Sequence, residues 1–226
     1  MKKQTILECL GLTFSYSGAS PIFDHLDMSV ESGSFTHVQG PSGSGKSTLL
    51  RLLNRLEEPG SGTIHFKGHP VEDYSPPVLR RSIAYIQQTP TLVPGTVRDN
   101  LLLPFSFKTN RNLSTPGDDA LRSLMEEFLL GEVDLYAQAM NLSGGQRQRL
   151  CLLRSMLLSP EVMLLDEPVS ALDPESRRAV ERTVVKLNRE RGLTVILVSH
   201  QELTLAGLTP VVYSIQSCSI RERKDP

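Results

Sequence analysis

Gly40-Pro41-Ser42-Gly43-Ser44-Gly45-Lys46-Ser47-Thr48 is the stretch that decides the fold. It fits G-x-x-x-x-G-K-[ST] and sits between two different patterns. Ser34 to Val38 is a short apolar, aromatic-containing run that reads as a strand, and Leu49-Leu50-Arg51-Leu52-Leu53 reads as a helix start. Strand, loop and helix in that order are the context the motif requires. Its glycines let the backbone bend until several N–H groups point at one anion. The helix N-terminus adds partial positive charge at the same place. In this arrangement Gly40 to Thr48 cradles the phosphates of a nucleotide, Lys46 reaches the β- and γ-phosphates, and the Ser47 hydroxyl can ligate Mg²⁺.

A second glycine-rich stretch, Leu142-Ser143-Gly144-Gly145-Gln146, opens an amphipathic helix from Arg147 to Leu158, with Leu150, Leu153, Met156 and Leu157 on one face. Alone it could be a turn with Ser143 as helix cap. Two glycines at a helix start also expose N–H donors to an anion. Farther on, Val162-Met163-Leu164-Leu165-Asp166-Glu167 is an apolar run, bounded by Pro160 and Pro168, that ends in two carboxylates. Side chains alternate along a strand, so Asp166 and Glu167 cannot do the same job. Open α/β sheets place ligands just past the carboxyl ends of their strands. Thr194-Val195-Ile196-Leu197-Val198-Ser199-His200 repeats the design, a β-branched run ending in one histidine.

Phosphate loop and L-S-G-G-Q stretch together resemble the ATP-binding cassette (ABC) ATPases, over nearly the whole chain. The resemblance implies an α/β fold of the P-loop NTPase type, with a mainly parallel sheet core, an N-terminal antiparallel β subdomain and an inserted α-helical subdomain. It implies ATP and Mg²⁺ as ligands, and it implies roles. Asp166 would support Mg²⁺, Glu167 would polarise the attacking water, and His200 would be the switch histidine that contacts the γ-phosphate. In Ala84-Tyr85-Ile86-Gln87-Gln88 two glutamines compete for the place that contacts Mg²⁺ and the attacking water; the following Thr-Pro-x-Leu pattern makes Gln88 the better match than Gln87. Ser170-Ala171-Leu172-Asp173 matches the family's D-loop, which crosses a dimer interface and brings Asp173 towards the nucleotide. Phe14-Ser15-Tyr16 supplies the aromatic that stacks on adenine, assigned to Tyr16; a flat π-face gives base affinity with little base discrimination, and the same ring could instead be core.

Composition sets the outer bounds. The 226 residues suffice for one α/β domain with a sizeable core. A net charge of −1 and the absence of Trp give no support to nucleic acid as a primary partner. The cysteines Cys9, Cys151 and Cys218 are odd in number and widely spaced, which suggests a reducing compartment and no disulfide framework. His25, His37, His65 and His69 lack metal-ligand spacing and read as ordinary residues. Met1-Lys2-Lys3-Gln4 looks like the start of a signal peptide, but Glu8, Gly11 and Thr13 interrupt any apolar core. No apolar run approaches the roughly 18 residues that span a bilayer.

The chain reads as strand-rich over 4–40, helical over 46–56, then strands at 62–68 and 82–86. Helices follow at 96–103, 118–130 and 144–158, then strand 162–166, helix 174–191, strand 194–198 and strands near 210–220. Alternating βα units predict a mainly parallel sheet covered on both faces. The expected division is a single cassette, with 1–88 and 160–226 as sheet core plus β subdomain and 89–159 as helical subdomain.

One phosphate loop and one signature stretch per chain imply, by the resemblance, a head-to-tail homodimer that sandwiches each ATP between Lys46 of one copy and Ser143 of the other. Most single-cassette chains of this size serve membrane transporters. The expected partner is therefore a separate multi-span permease subunit, with this chain peripheral on the cytoplasmic face of the inner membrane. The permease would dock beside Gln88, at Thr89-Pro90-Thr91-Leu92-Val93 and Asn100-Leu101-Leu102-Leu103-Pro104-Phe105-Ser106-Phe107, the second of which reads either as core or as docking surface. Residues Gln88 to Pro104 further resemble the bacterial FetA type, described as the ATP-binding subunit of an iron exporter. The rival reading is a non-transport ABC ATPase acting on a soluble or nucleic-acid partner. The short interval between loop and signature, without sustained heptads, argues against the coiled-coil relatives. Gln201, where the family often has an acid, and the charged tail Arg221 to Pro226 are minor departures.

Overall fold

The computed structural model describes residues 4–170, 172–200 and 207–223. Residues 1–3, Ala171, 201–206 (with Gln201) and 224–226 lie outside these. Strands β1 (Thr5–Phe14), β2 (Phe23–Glu31) and β3 (Phe35–Gln39) come first, and α1 (Lys46–Leu53) follows the phosphate loop. Then come β4 (Ser61–Phe66), β5 (His69–Pro70), α2 (Pro76–Ser82) and β6 (Ile83–Ile86). The helices α3 (Val97–Leu102), α4 (Asp118–Glu127) and α5 (Gly144–Met156) follow. The chain then runs through β7 (Val162–Asp166), α6 (Pro174–Arg191), β8 (Thr194–Ser199), β9 (Val211–Gln216) and β10 (Ser219–Arg223).

These strands form two sheets. The smaller has the order β2-β1-β4-β5 and is antiparallel throughout. The larger has the order β10-β9-β3-β8-β7-β6, with parallel pairing everywhere except between β9 and β10. Side-chain alternation then divides the core in two. Val38, Val162, Leu164, Ile196 and Val198 share one face of the large sheet and pack with α1 and the antiparallel sheet. Phe35, Met163, Leu165, Val195 and Leu197 point the other way and pack with α3, α4, α5 and α6. Burial on both faces is why β7 and β8 read as continuous apolar runs rather than alternating ones. Truncating one such residue, Leu164 to Ala, would cost about 2–5 kcal/mol through lost burial and the cavity left behind.

Several element ends differ from the sequence expectation, for local reasons. The first helix stops at Leu53 rather than at residue 56, because Asn54 takes the C-cap with its N–H on Leu52 O and Arg55 adopts a φ of 56°. The helix expected over 96–103 ends at Leu102, and Pro104 lies inside a following 3₁₀ turn, Leu103–Ser106. The helix expected over 118–130 ends at Glu127, and Leu129 turns to a φ of 56°. Helix α5 buries Cys151 and Leu152 as well as Leu150, Leu153 and Met156, while Leu157 is only half-buried. It is therefore enclosed on more than the one face its spacing predicts. Helix α2 has no counterpart in the sequence reading: Pro76 and Pro77 occupy its first positions, where a missing N–H costs nothing.

Candidate active site

The carboxyl ends of β3, β7 and β8 lie side by side, in the register Gln39 to Ser199 and Asp166 to Val198. That register brings together residues far apart in sequence. The loop after β3 enters α1 through Gly45, which has a φ of 96°. A Cβ at Gly45 would stand 2.4 Å from Ile22 and 2.8 Å from Phe23, so only glycine fits. A Cβ at Gly40 would stand 2.6 Å from the Ser44 hydroxyl. Pro41, Ser42 and Gly43 are exposed, whereas Lys46 and Thr48 are buried. Lys46 Nζ donates to the carbonyls of Gly40 and Pro41, both at 3.0 Å, so the ammonium is folded over its own loop. Helix α1 has no side-chain cap, and the Ser44 hydroxyl is buried with no hydrogen-bond partner among the described residues. Uncapped first-turn amides, an orphaned hydroxyl and a lysine suit a phosphate group.

Beside the loop, Ser47 Oγ donates to Asp166 Oδ1 at 2.8 Å, joining the start of α1 to the end of β7. Asp166 is 4% exposed. Its other oxygen accepts from Tyr85 at 2.7 Å. A hydroxyl and a carboxylate oxygen held together are hard donors of the kind Mg²⁺ takes, so the residues present fit that ion. Tyr85 was not among the residues singled out from the sequence; a hydroxyl-bearing ring near the carboxyl end of a strand was the available signal. Burial, followed by the Asp166 carboxylate, pushes its phenol up to about 12.

Glu167 leaves the strand with a φ of 43°, which turns it away from Asp166. His200 Nδ1 lies 3.3 Å from Glu167 Oε1. Gln88 Nε2 reaches Glu167 Oε2 at 3.5 Å and donates to Ser170 Oγ at 3.0 Å. Gln87 instead lines a groove with Tyr85, Arg80, Arg154, Pro104 and Phe107. The structure thus places Gln88, Glu167 and His200 in one cluster. Behind it, His37 is buried in β3 and its Nε2 lies 2.9 Å from Ser199 Oγ. Burial holds its pKa down at about 4. Its role is structural: it ties the strand before the phosphate loop to the strand before His200.

Tyr16 is 39% exposed and meets Phe14 edge-on, with ring centroids 4.9 Å apart. Hydrogen bonding to Tyr85 and then to Tyr16 holds the Arg51 guanidinium, on α1, above its usual range.

The signature stretch forms a separate surface. Ser143 and Gln146 close a capping box on α5, with Ser143 N donating to Gln146 Oε1 at 2.9 Å and Gln146 N to Ser143 Oγ at 3.3 Å. Gly145 packs so closely on α6 that a Cβ would stand 2.4 Å from Ser176 Oγ, whereas a Cβ at Gly144 would meet only Leu172, at 3.7 Å. Asp173 caps α6 by accepting from Glu175 N and Ser176 N, both at 3.0 Å. The Ser176 hydroxyl first, and then these backbone donors, hold its carboxyl below the usual range. Among the described residues no group of three or more His, Cys, Asp and Glu side chains is placed to hold a metal by itself.

The ABC transporter family model matches residues 23–170, which include the phosphate loop, Gln88, the signature stretch and both carboxylates. The chain belongs to the ABC transporter family. It is an ATPase of that family, and its fold is the family's. The probable iron export ATP-binding protein FetA of Escherichia coli is 36% identical over 186 residues, 82% of this chain and 81% of that protein. CbiO1 of Clostridium perfringens, described as part of the ABC transporter complex cbiONQ, superposes with a TM-score of 0.82 at 26% identity, covering 97% of this chain and 88% of that one. An ATP-binding cassette solved as a dimer in a post-hydrolysis state with ADP and Pi superposes with a TM-score of 0.83 at 26% identity, covering 97% and 98%. Other ABC relatives are longer proteins, of which the chain spans 16 to 32%.

Proposed function

We propose that the chain is the ATP-hydrolysing subunit of a membrane transporter whose membrane-spanning part is a separate polypeptide. Two copies would pair head to tail on ATP, and the cargo would be a metal, iron by the likeness to FetA. The observation that carries the reading is one phosphate loop and one signature surface on a single cassette that matches FetA over most of both chains. Among the described residues no helix is long and apolar enough to cross a membrane; the place we assign the chain is peripheral, on the cytoplasmic face of the inner membrane. Within the cassette we assign residues 89–159 to a helical subdomain and the remainder to the sheet core with its β subdomain.

The chemistry follows from the geometry. Loop amides from Gly40 to Thr48 and the Lys46 ammonium would bind the β- and γ-phosphates, releasing Lys46 from the carbonyls it now holds. Tyr16 would cover the adenine. Ser47, Asp166 and Gln88 would hold Mg²⁺, which when bound neutralises charge developing on the phosphate oxygens. Glu167 would accept the proton of the attacking water. His200 and Gln88, both beside Glu167, would orient that water and the γ-phosphate. Amides of Gly144 and Gly145, with Ser143, Gln146 and Asp173, would approach the same phosphate from the second copy. The groove lined by Tyr85, Gln87, Phe107 and Arg154 would seat the permease. Tagged chain from detergent-solubilised membranes should carry a stoichiometric multi-span protein. Recovery only from the soluble fraction, with soluble or nucleic-acid proteins, would overturn transport and favour the non-transport reading.

A further inference from the structure

The buried carboxylate of Asp166 is gripped at both oxygens by hydroxyls from different elements. Ser47 of α1 holds Oδ1 at 2.8 Å, and Tyr85 of β6 holds Oδ2 at 2.7 Å. One hydrogen bond leaves a carboxylate free to rotate about its Cβ–Cγ bond; a second, on the opposite oxygen, fixes its plane. The two bonds are not equivalent. Ser47 sits on a three-atom tether at the mouth of the loop that receives phosphate. Tyr85 is a rigid phenol whose ring packs against the main core and whose oxygen also faces the Arg51 guanidinium of α1. Its hydroxyl position is therefore set before any ligand arrives. The same ring forms part of the wall of the groove beside Gln87.

The geometry points to Tyr85 as a positioning residue for the reaction: its hydroxyl presets the plane of Asp166, so that Asp166 and Ser47 meet a divalent cation without rearranging. This rests on the assignment of Asp166 to the cation made above. Hydrogen-bond partners that orient a metal-binding side chain are worth about 10–100-fold in metal affinity. Without the hydroxyl, Asp166 Oδ2 is left buried and unpartnered, and the carboxylate can turn towards another donor.

Tyr85→Phe keeps the ring and its packing and removes only the hydroxyl. Tyr74→Phe is the control, because the Tyr74 ring packs against the same core and its hydroxyl donates to Phe66 O, away from the site. Binding of a fluorescent ATP analogue is measured by titration in EDTA and then over a Mg²⁺ series, with no hydrolysis step in the readout. The expected result is unchanged affinity in EDTA for wild type, Y85F and Y74F, with the Mg²⁺ concentration for half-maximal response about tenfold higher in Y85F alone. Y85F following the wild-type Mg²⁺ curve overturns the inference, as does Y85F losing affinity equally in EDTA. A wild-type protein indifferent to Mg²⁺ would instead overturn the cation assignment on which the inference stands.

Discussion

The phosphate loop and the signature stretch are both glycine-rich starts of helices, yet the chain treats them oppositely. The loop is knitted inward. Gly45 is pressed against Ile22 and Phe23, Lys46 folds onto Gly40 and Pro41, and Ser47 reaches across to Asp166. The signature closes on itself through its capping box and on α6 through Gly145, while among the described residues a Cβ at Gly144 would meet only Leu172, at 3.7 Å. A glycine required by its own chain and a glycine with room to spare are different statements. At Gly45 the reason for glycine is in this molecule. At Gly144 it is not, so the account places it in the surface that comes over the nucleotide from a second copy.

Two substitutions can break that contrast. Gly45→Ala combines a φ of 96° with a 2.4 Å clash, so it should lower stability by about 2–5 kcal/mol and abolish ATP binding. Thermal unfolding and nucleotide titration check both effects; a variant as stable as wild type would show the loop is less tightly braced than described. Gly144→Asp meets no such obstacle within the chain. Its unfolding temperature and monomeric ATP affinity should stay at wild-type values, while hydrolysis falls about 100-fold as the charge enters the phosphate's second half-site. Unchanged steady-state turnover would mean that nothing approaches Gly144.

The smallest effect concerns the strand behind the loop. Folded His37 titrates near 4, against 6.5 for the free side chain. Between those values the unfolded chain binds the extra proton, so stability present above pH 6.5 is lost progressively as pH falls towards 4. His37→Gln should show a shallower decline in unfolding temperature over that window than wild type. Parallel declines would mean that His37 titrates normally in the fold.

The motifs and their element types were legible because phosphate chemistry demands particular residues at short spacing, as from Gly40 to Ser47 or from Ser143 to Gln146. What escaped was contact between distant segments. Tyr85 on Asp166, His37 on Ser199 and Gly145 on Ser176 depend on which strands and helices become neighbours, and no local pattern encodes that order. Gln88 was preferred to Gln87 on the Thr-Pro-x-Leu pattern that follows; the structure adds the contact no pattern shows, with Gln88 reaching Glu167 while Gln87 turns into the groove. Helix α2 was hidden because its two prolines read as a break, although at the first turn they begin a helix.

The central claim is that each nucleotide site is completed by a second copy. Its most direct test is the mass in solution of Glu167→Gln with saturating ATP and Mg²⁺, by light scattering, with ADP as comparison and with the proposed membrane partner present in a parallel sample. The account predicts a dimer of the 25.0 kDa chain with ATP and a monomer with ADP. A variant that stays monomeric with ATP, even alongside its partner, would contradict it.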